Sequence, residues 1–326
     1  MLKESSKTHV IGIDITHETT SYAVVDVRGN ILAHESVCTR DYPNINEFVG
    51  MLTEKIVMLV ENTCGYENVR SVGVSSPSGN FLTGCIENSF SLPWKGLVPL
   101  AALLRDRLGL AVALGNNAYV RALGEYTYGS THGMRDFIVV TLGYGLGSCL
   151  FSQGHAHLGA NGFGGEVGHT CVVPNGRLCN CGHRGCLEAY CSAKGVITTA
   201  RELLAETSQP SLMRACDELT PKTIKDCCDE GDELAQEVYR RTGYMLGIGL
   251  ANYASVINPD AIVITGGVSK AGKWLLEPTN ASFEKHVFHN VEKHIRIMTS
   301  SLSSTERDLL GASALAWQVK EYSLFK

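Results

Sequence analysis

Four residues between positions 169 and 186 have the types and spacing of a closed metal site: His169, Cys179, Cys181 and Cys186. Three thiolates and one imidazole complete a tetrahedral Cys3His set, the arrangement of structural zinc. Gly182 and Gly185 lie between the thiols, where they allow the chain to turn back on a metal. His183 is the rival imidazole, but inside so tight a loop it is expected to point outward. Cys191, on the following helix, is expected to be packed rather than coordinating. A cysteine-rich surface loop without metal is the alternative. Clustered thiols with a histidine, in a chain with no export signal, favour zinc over disulfides. The other eight cysteines, Cys38, Cys64, Cys85, Cys149, Cys171, Cys216, Cys227 and Cys228, sit among apolar or helical neighbours and read as core or surface thiols.

Two carboxylates flank the cluster. Glu166 lies three residues before His169, and Glu188 lies two after Cys186. A metal here would hold both carboxylates and the imidazole in one constellation. Such acceptors are what polyhydroxy ligands need. Two glycine turns follow apolar runs, Gly143-Tyr144-Gly145 and Gly266-Gly267, and the pair Asn116-Asn117 ends another.

The elements that must position these residues read as two similar halves. Short apolar runs at 10–14, 21–26 and 31–34 form a meander joined by tight turns such as Arg28-Gly29-Asn30. Residues 45–61 have helical periodicity, 69–74 a strand pattern, 97–108 a helix and 111–114 a strand. The pattern then restarts, with a helix at 118–128, a strand at 136–141 and a second meander from 148. Residues 158–188 are too long for a plain connector. Mostly helical sequence follows from Ala193, with the longest helix at 233–258, a buried strand at 261–264 and a last helix from 308 to about Tyr322. This layout predicts an internally duplicated α/β protein of two lobes with a central cleft.

Composition agrees. The chain has 326 residues, which suggests two domains. Its apolar fraction of 44% and charged fraction of 19% are ordinary for a globular protein, which excludes disorder as the main state. Net charge is 28 − 33 = −5, so a broad nucleic-acid or membrane-surface footprint is not expected. No apolar run approaches the roughly 18 residues of a membrane span. Residues 1–9 are polar and unlike a signal peptide, so a soluble, cytoplasmic protein is expected.

At Gly164-Gly165-Glu166-Val167-Gly168-His169 and at Cys179-Asn180-Cys181-Gly182-His183-Arg184-Gly185-Cys186-Leu187-Glu188, the sequence resembles the ROK family of sugar kinases and sugar-responsive repressors. The segments 116–125 and 262–267 carry the likeness further, over nearly the whole chain. Within the family it is most similar to bacterial ROK glucokinases, through residues 75–80 and Leu92-Pro93-Trp94-Lys95-Gly96. The resemblance implies an actin/hexokinase-like duplicated ribonuclease-H fold with a zinc loop. One lobe would be 1–117 completed by about 304–326, the other 118–303. It implies that Asn116, Glu166, His169 and Glu188 bind sugar hydroxyls, with Ser91 and Gly79 beside them and His169 also on zinc. It implies ATP and Mg²⁺ at Asp14, Thr16, His17, Glu18, Gly143, Tyr144, Gly145, Gly266 and Gly267, and a homodimer or homotetramer. No winged-helix segment precedes Val10, so no DNA-binding domain is expected.

The departures from that pattern bear on function. Family kinases carry an aspartate directly after the Asn of the strand-end motif, as the base toward the attacking sugar hydroxyl. Here that position is Asn117. An amide donates or accepts a hydrogen bond but is no base near neutral pH, and loss of a general base costs about 10²–10⁴ in rate. The first phosphate loop of the family ends in Gly-Gly-Thr; here it reads Thr16-His17-Glu18. Two glycines that let backbone approach phosphate are gone, and Glu18 brings a like charge worth on the order of 4 kcal/mol at about 4 Å. The second loop has Tyr144 in place of a threonine, and Ser91 replaces an Asn. Asp14 remains for an Mg²⁺-bound water, and Gly266-Gly267 for nucleotide phosphates. The expectation is a hexose-binding protein in which transfer is lost or strongly reduced. The alternatives are an active ATP-dependent hexokinase with rearranged loops, and a structural partner of an active paralogue.

Overall fold

The computed structural model describes residues 7–292 and 294–319, in two compact units. The first unit contains 7–133, 160–163 and 301–319, and the second the remainder.

In the first unit, strands β1 (His9–Ile15), β2 (Thr19–Asp26) and β3 (Ile31–Cys38) form the expected antiparallel meander. Helix α1 (Ile45–Glu61) starts where the Asn44 side chain accepts the amides of Asn46 and Glu47. It buries Phe48, Leu52, Ile56 and Val60 on one face. Strand β4 (Val69–Ser76) runs parallel to β1. A small sheet of β5 (Gly79–Asn80), β6 (Cys85–Glu87) and β7 (Leu97–Val98) follows. Then come α2 (Leu100–Leu108), β8 (Ala111–Asn116), parallel to β4, and α3 (Asn117–Tyr128). The main sheet has the order β3-β2-β1-β4-β8.

The C-terminal helix (Ser304–Gln318) lies against β1, β4 and α3. Gly12 on β1 and Gly73 on β4 are register partners. A Cβ at Gly12 would stand 2.7 Å from Leu309 O, and one at Gly73 only 2.0 Å from Ala312 O. Two side-chain-free positions side by side thus let the helix backbone reach the sheet.

The second unit repeats the plan. Strands β9 (Phe137–Leu142), β10 (Leu146–Ser152) and β11 (His155–Ala156) form a meander, and β12 (Ala261–Thr265) and β13 (Arg296–Thr299) add in parallel. The sheet order, β11-β10-β9-β12-β13, is the order of the first sheet. The duplication read from the sequence is therefore present strand for strand. Its core joins Ile138, Val140 and Ile262 to Leu187, Leu246 and Leu250. The helices are α4 (Glu188–Cys191), α5 (Ala193–Glu206), α6 (Pro221–Asp229), α7 (Glu233–Ile257) and α8 (Lys273–His286). Helix α7 is capped by the Asp232 side chain and ends at Asn258 in the left-handed region.

Two readings need correction. The helix expected at 97–108 begins only at Leu100, because β7 pairs with β6 and Pro99 interrupts the run. The first compact unit runs on through Gly133. Helix α3 packs on the C-terminal helix, where Arg121 pairs with Asp308 at 2.7 Å. The last helix, expected from 308 to about Tyr322, runs over Ser304–Gln318, and residues 320–326 lie outside the described residues. Among the described residues, no helix is long and apolar enough to cross a membrane.

Candidate functional site

The ligand atoms of His169, Cys179, Cys181 and Cys186 all lie within 4.8 Å of one another. Cys181 and Cys186 Sγ are 3.6 Å apart, and Cys179 Sγ is 3.7 Å from His169 Nδ1. Thiolates at about 2.3 Å from one tetrahedral ion stand about 3.8 Å apart, so these separations fit a single metal. Gly182 and Gly185 have φ of +89° and +79°, and a Cβ at Gly185 would sit 1.8 Å from Val173 O. The loop closes because neither position carries a side chain.

His183 is exposed and stands outside the four-atom set, as expected, with its Nδ1 3.6 Å from Cys181 Sγ. Burial by itself raises the Cys181 thiol, but hydrogen bonds from the His183 backbone and ring, and from the neighbouring thiols, outweigh it and hold it at about 6. Burial pushes Cys179 up to about 12. A coordinated metal would deprotonate both thiols. Cys191 is buried in the core, as expected.

Glu188 opens α4 and is buried. Its Oε1 lies 3.5 Å from Cys179 Sγ, and its Oε2 accepts the Leu146 amide at 2.9 Å. A Cβ at Gly145 would stand 2.6 Å from that Oε2. The second glycine of the 143–145 turn therefore makes room for Glu188. Glu166 ends a segment held by Ser148, whose hydroxyl accepts the Val167 amide at 3.1 Å. Its carboxyl is raised above the usual range, mainly by loss of solvent; His169 opposes this and Glu188 adds to it.

In the first unit, Asn116 caps α3, its Oδ1 accepting the Ala118 amide at 2.9 Å. Asn117 is the first residue of that helix. Its Nδ2 reaches Ile15 O at 3.5 Å, while its Oδ1 is buried without a hydrogen-bond partner. Asp14 on β1 is buried and accepts the Ser75 hydroxyl at 2.6 Å. Burial first, then Asp308, raise it to about 6 against the pull of Arg121.

The β1–β2 turn satisfies itself. Thr16 Oγ1 accepts the amides of Glu18 and Thr19 at 3.3 and 3.0 Å and donates to Thr19 O at 2.9 Å. The Glu18 carboxylate lies 3.4 Å from Arg40 and 3.5 Å from His17. Gly79 packs its α-carbon on the Gly115 carbonyl, where a Cβ would come within 2.6 Å. Ser91 is exposed, and its hydroxyl lies 3.4 Å from Ser89 Oγ.

Gly143, Tyr144 and Gly267 are brought together in the second unit. They line a cavity of about 600 Å³ with Thr220, Pro221, Lys222, Lys225, Asp226 and Lys270. The Lys222 ammonium pairs with Asp226 at 2.7 Å, and Lys225 with Asp229. Gly266, with φ +96°, turns the chain out of β12 into this wall.

Comparison with known proteins decides the lineage. A family model, ROK family, matches residues 10–319. The chain belongs to the ROK family. It is 31% identical over 321 residues to a glucokinase of Halalkalibacterium halodurans, covering 95% of this chain and 94% of that one. A crystal structure of a ROK family glucokinase from Streptomyces griseus, in complex with glucose and AMPPNP, superposes with a TM-score of 0.80 at 29% identity, covering 95% of this chain and 100% of that one. A xylose repressor of Caldicellulosiruptor bescii is 26% identical over 299 residues, 90% of this chain and 74% of the repressor. The chain is thus a glucokinase-like ROK protein with the sugar-kinase fold.

Several residues of this ROK chain were not given a role by the sequence. Ser75, Arg121 and Asp308 surround Asp14 from three separate segments. Lys222, Lys225 and Lys270 reach one cavity from two segments and belong to no motif. Only Ser75 could have been anticipated, as it sits in the Ser/Pro/Gly loop after a strand.

Proposed function

We propose that this ROK protein binds a hexose-type sugar and has lost, or strongly reduced, ATP-dependent phosphoryl transfer. Asn116 of the first unit and Glu166, His169 and Glu188 of the second supply hydroxyl-binding groups, and Zn²⁺ held by His169, Cys179, Cys181 and Cys186 braces the loop that carries the last three. The observation that carries the reading is Asn117: its buried Oδ1 has no partner, so it offers an acceptor to a ligand hydroxyl. It offers no base. The β1–β2 turn supports the same reading, since the amides of Glu18 and Thr19 are taken up by Thr16. The protein acts in the cytoplasm as a homodimer or homotetramer, which light scattering on the eluting protein tests.

The test is a panel of hexoses and amino sugars, assayed for thermal stabilisation without nucleotide and for sugar-dependent ADP release with ATP and Mg²⁺. Stabilisation without ADP release is expected. If no sugar shifts the melting temperature, the reading fails.

A second reading, an active ATP-dependent hexokinase, is favoured by the lysine-bearing cavity beside Gly143 and Gly267, a volume suited to a nucleotide. It requires Mg²⁺- and sugar-dependent ADP release by the unmodified protein.

A further inference from the structure

Cys216 follows a short turn at Leu212–Ala215, and Cys227 lies on α6. Their Sγ atoms are 3.9 Å apart. Cys216 is partly exposed, its Sγ 3.7 Å from Leu212 O, while Cys227 is buried. Among the described residues, no third His, Cys, Asp or Glu completes a metal set with them. Cys228, the next residue, is also buried in the core of the unit. Helix α6 also carries Lys222, Lys225 and Asp226, which face the cavity at Gly143 and Gly267.

We propose that Cys216 and Cys227 form an oxidisable dithiol whose closure to a disulfide moves α6 relative to that cavity. A hydroperoxide is the oxidant. The Cys216 sulfur attacks one peroxide oxygen; the O–O bond breaks, giving Cys216 sulfenic acid and water when the oxidant is hydrogen peroxide. The Cys227 sulfur then displaces the hydroxyl from Cys216, and the Cys227 proton leaves with that hydroxyl as a second water. Two electrons pass from the thiols to one peroxide. The order follows access: Cys216 meets solvent, and burial keeps the Cys227 thiol protonated, up to about 12. An S–S bond is about 2.05 Å, so the sulfurs must close by nearly 2 Å, and in this proposal α6 takes up part of that closure. In a reducing compartment such pairs open again, as redox sensors do.

The experiment treats the full-length, reduced protein with hydrogen peroxide, alkylates the remaining thiols and digests with trypsin. Residues 215–222 and 226–240 are expected as one cross-linked species, separated again by dithiothreitol. Fragmentation should place the bridge on Cys227, and Cys228→Ser should retain it, whereas Cys216→Ser and Cys227→Ser should abolish it. Hydrogen exchange over Pro221–Asp229 should change by roughly threefold on oxidation and recover on reduction. Absence of the 215–222/226–240 species from the oxidised wild type overturns the dithiol. A bridge that leaves exchange in α6 unchanged overturns its action on the helix. Both readouts are independent of sugar binding and phosphoryl transfer.

Discussion

Asn117 and Asp14 are two residues of the first unit whose side chains meet different problems of burial. Asn117 Oδ1 is a buried acceptor without a donor, a state that costs about 1–3 kcal/mol until a hydroxyl reaches it. Under the proposed loss of transfer, placing a carboxylate here with Asn117→Asp should raise sugar-dependent ADP release by up to about 10²–10⁴. A coupled ADP assay measures it, and an unchanged rate would place the defect in the phosphate loops instead. Asp14 is the converse case. Its carboxyl titrates near 6 in the fold against an ordinary 3.8, chiefly through burial. The folded protein therefore holds this proton more tightly than the unfolded chain. That contribution to stability is complete below about pH 4 and is lost as pH rises through 6, a change of about 3 kcal/mol. Asp14→Asn keeps an acceptor for Ser75 and does not titrate. It should melt higher than the wild type at pH 7.5, with the gain disappearing toward pH 4.

Among the elements, the segment from β9 to α4 binds several functions to one backbone. Glu188 touches Cys179 at one oxygen and the Leu146 amide at the other, and Ala193 N donates to Gly143 O at 2.8 Å. The start of the helical region is thus pinned to both ends of the 143–145 turn. Gly145→Ala should push the Glu188 carboxylate off Leu146, cost about 1–3 kcal/mol by overpacking, and abolish stabilisation by sugar. Thermal melts with and without sugar distinguish these two effects. If the cysteine loop holds the proposed Zn²⁺, its stability should depend on the metal, since binding free energy at a structural site is folding free energy. Chelation should lower the melting temperature and Zn²⁺ restore it. Cys186→Ser should lose the metal, read by elemental analysis of the purified protein.

For the molecule as a whole, two sheets of identical strand order carry different equipment. The first unit holds Asp14, Asn116 and Asn117; the second holds the cysteine cluster, Glu166, Glu188 and the lysine-lined cavity. A ligand that binds only the folded state stabilises by about 2.7 kcal/mol at a hundred times its Kd. A recognised hexose should therefore raise the melting temperature of the entire cooperative transition in the absence of nucleotide. Scanning calorimetry across the sugar panel measures this directly.

The sequence by itself determined the local elements and the chemistry of the cluster. Short apolar runs joined by tight turns announced the β1–β3 meander, periodic apolar residues announced α1, and the spacing of Cys179, Cys181 and Cys186 after His169 named four ligand atoms that the fold does bring together. Those signals are local, since strand and helix periodicities and loop-closing glycines act within a few residues. What only the tertiary structure decided lies between distant segments. Arg121 meets Asp308 across 187 residues, and Asp14 meets Ser75 across 61. The missing side chain of Gly145 makes space for Glu188, 43 residues away, rather than only bending a loop. No spacing rule encodes such contacts. They depend on which faces of helices and sheets pack together, and that is fixed by burial of the whole core rather than by any one stretch of chain.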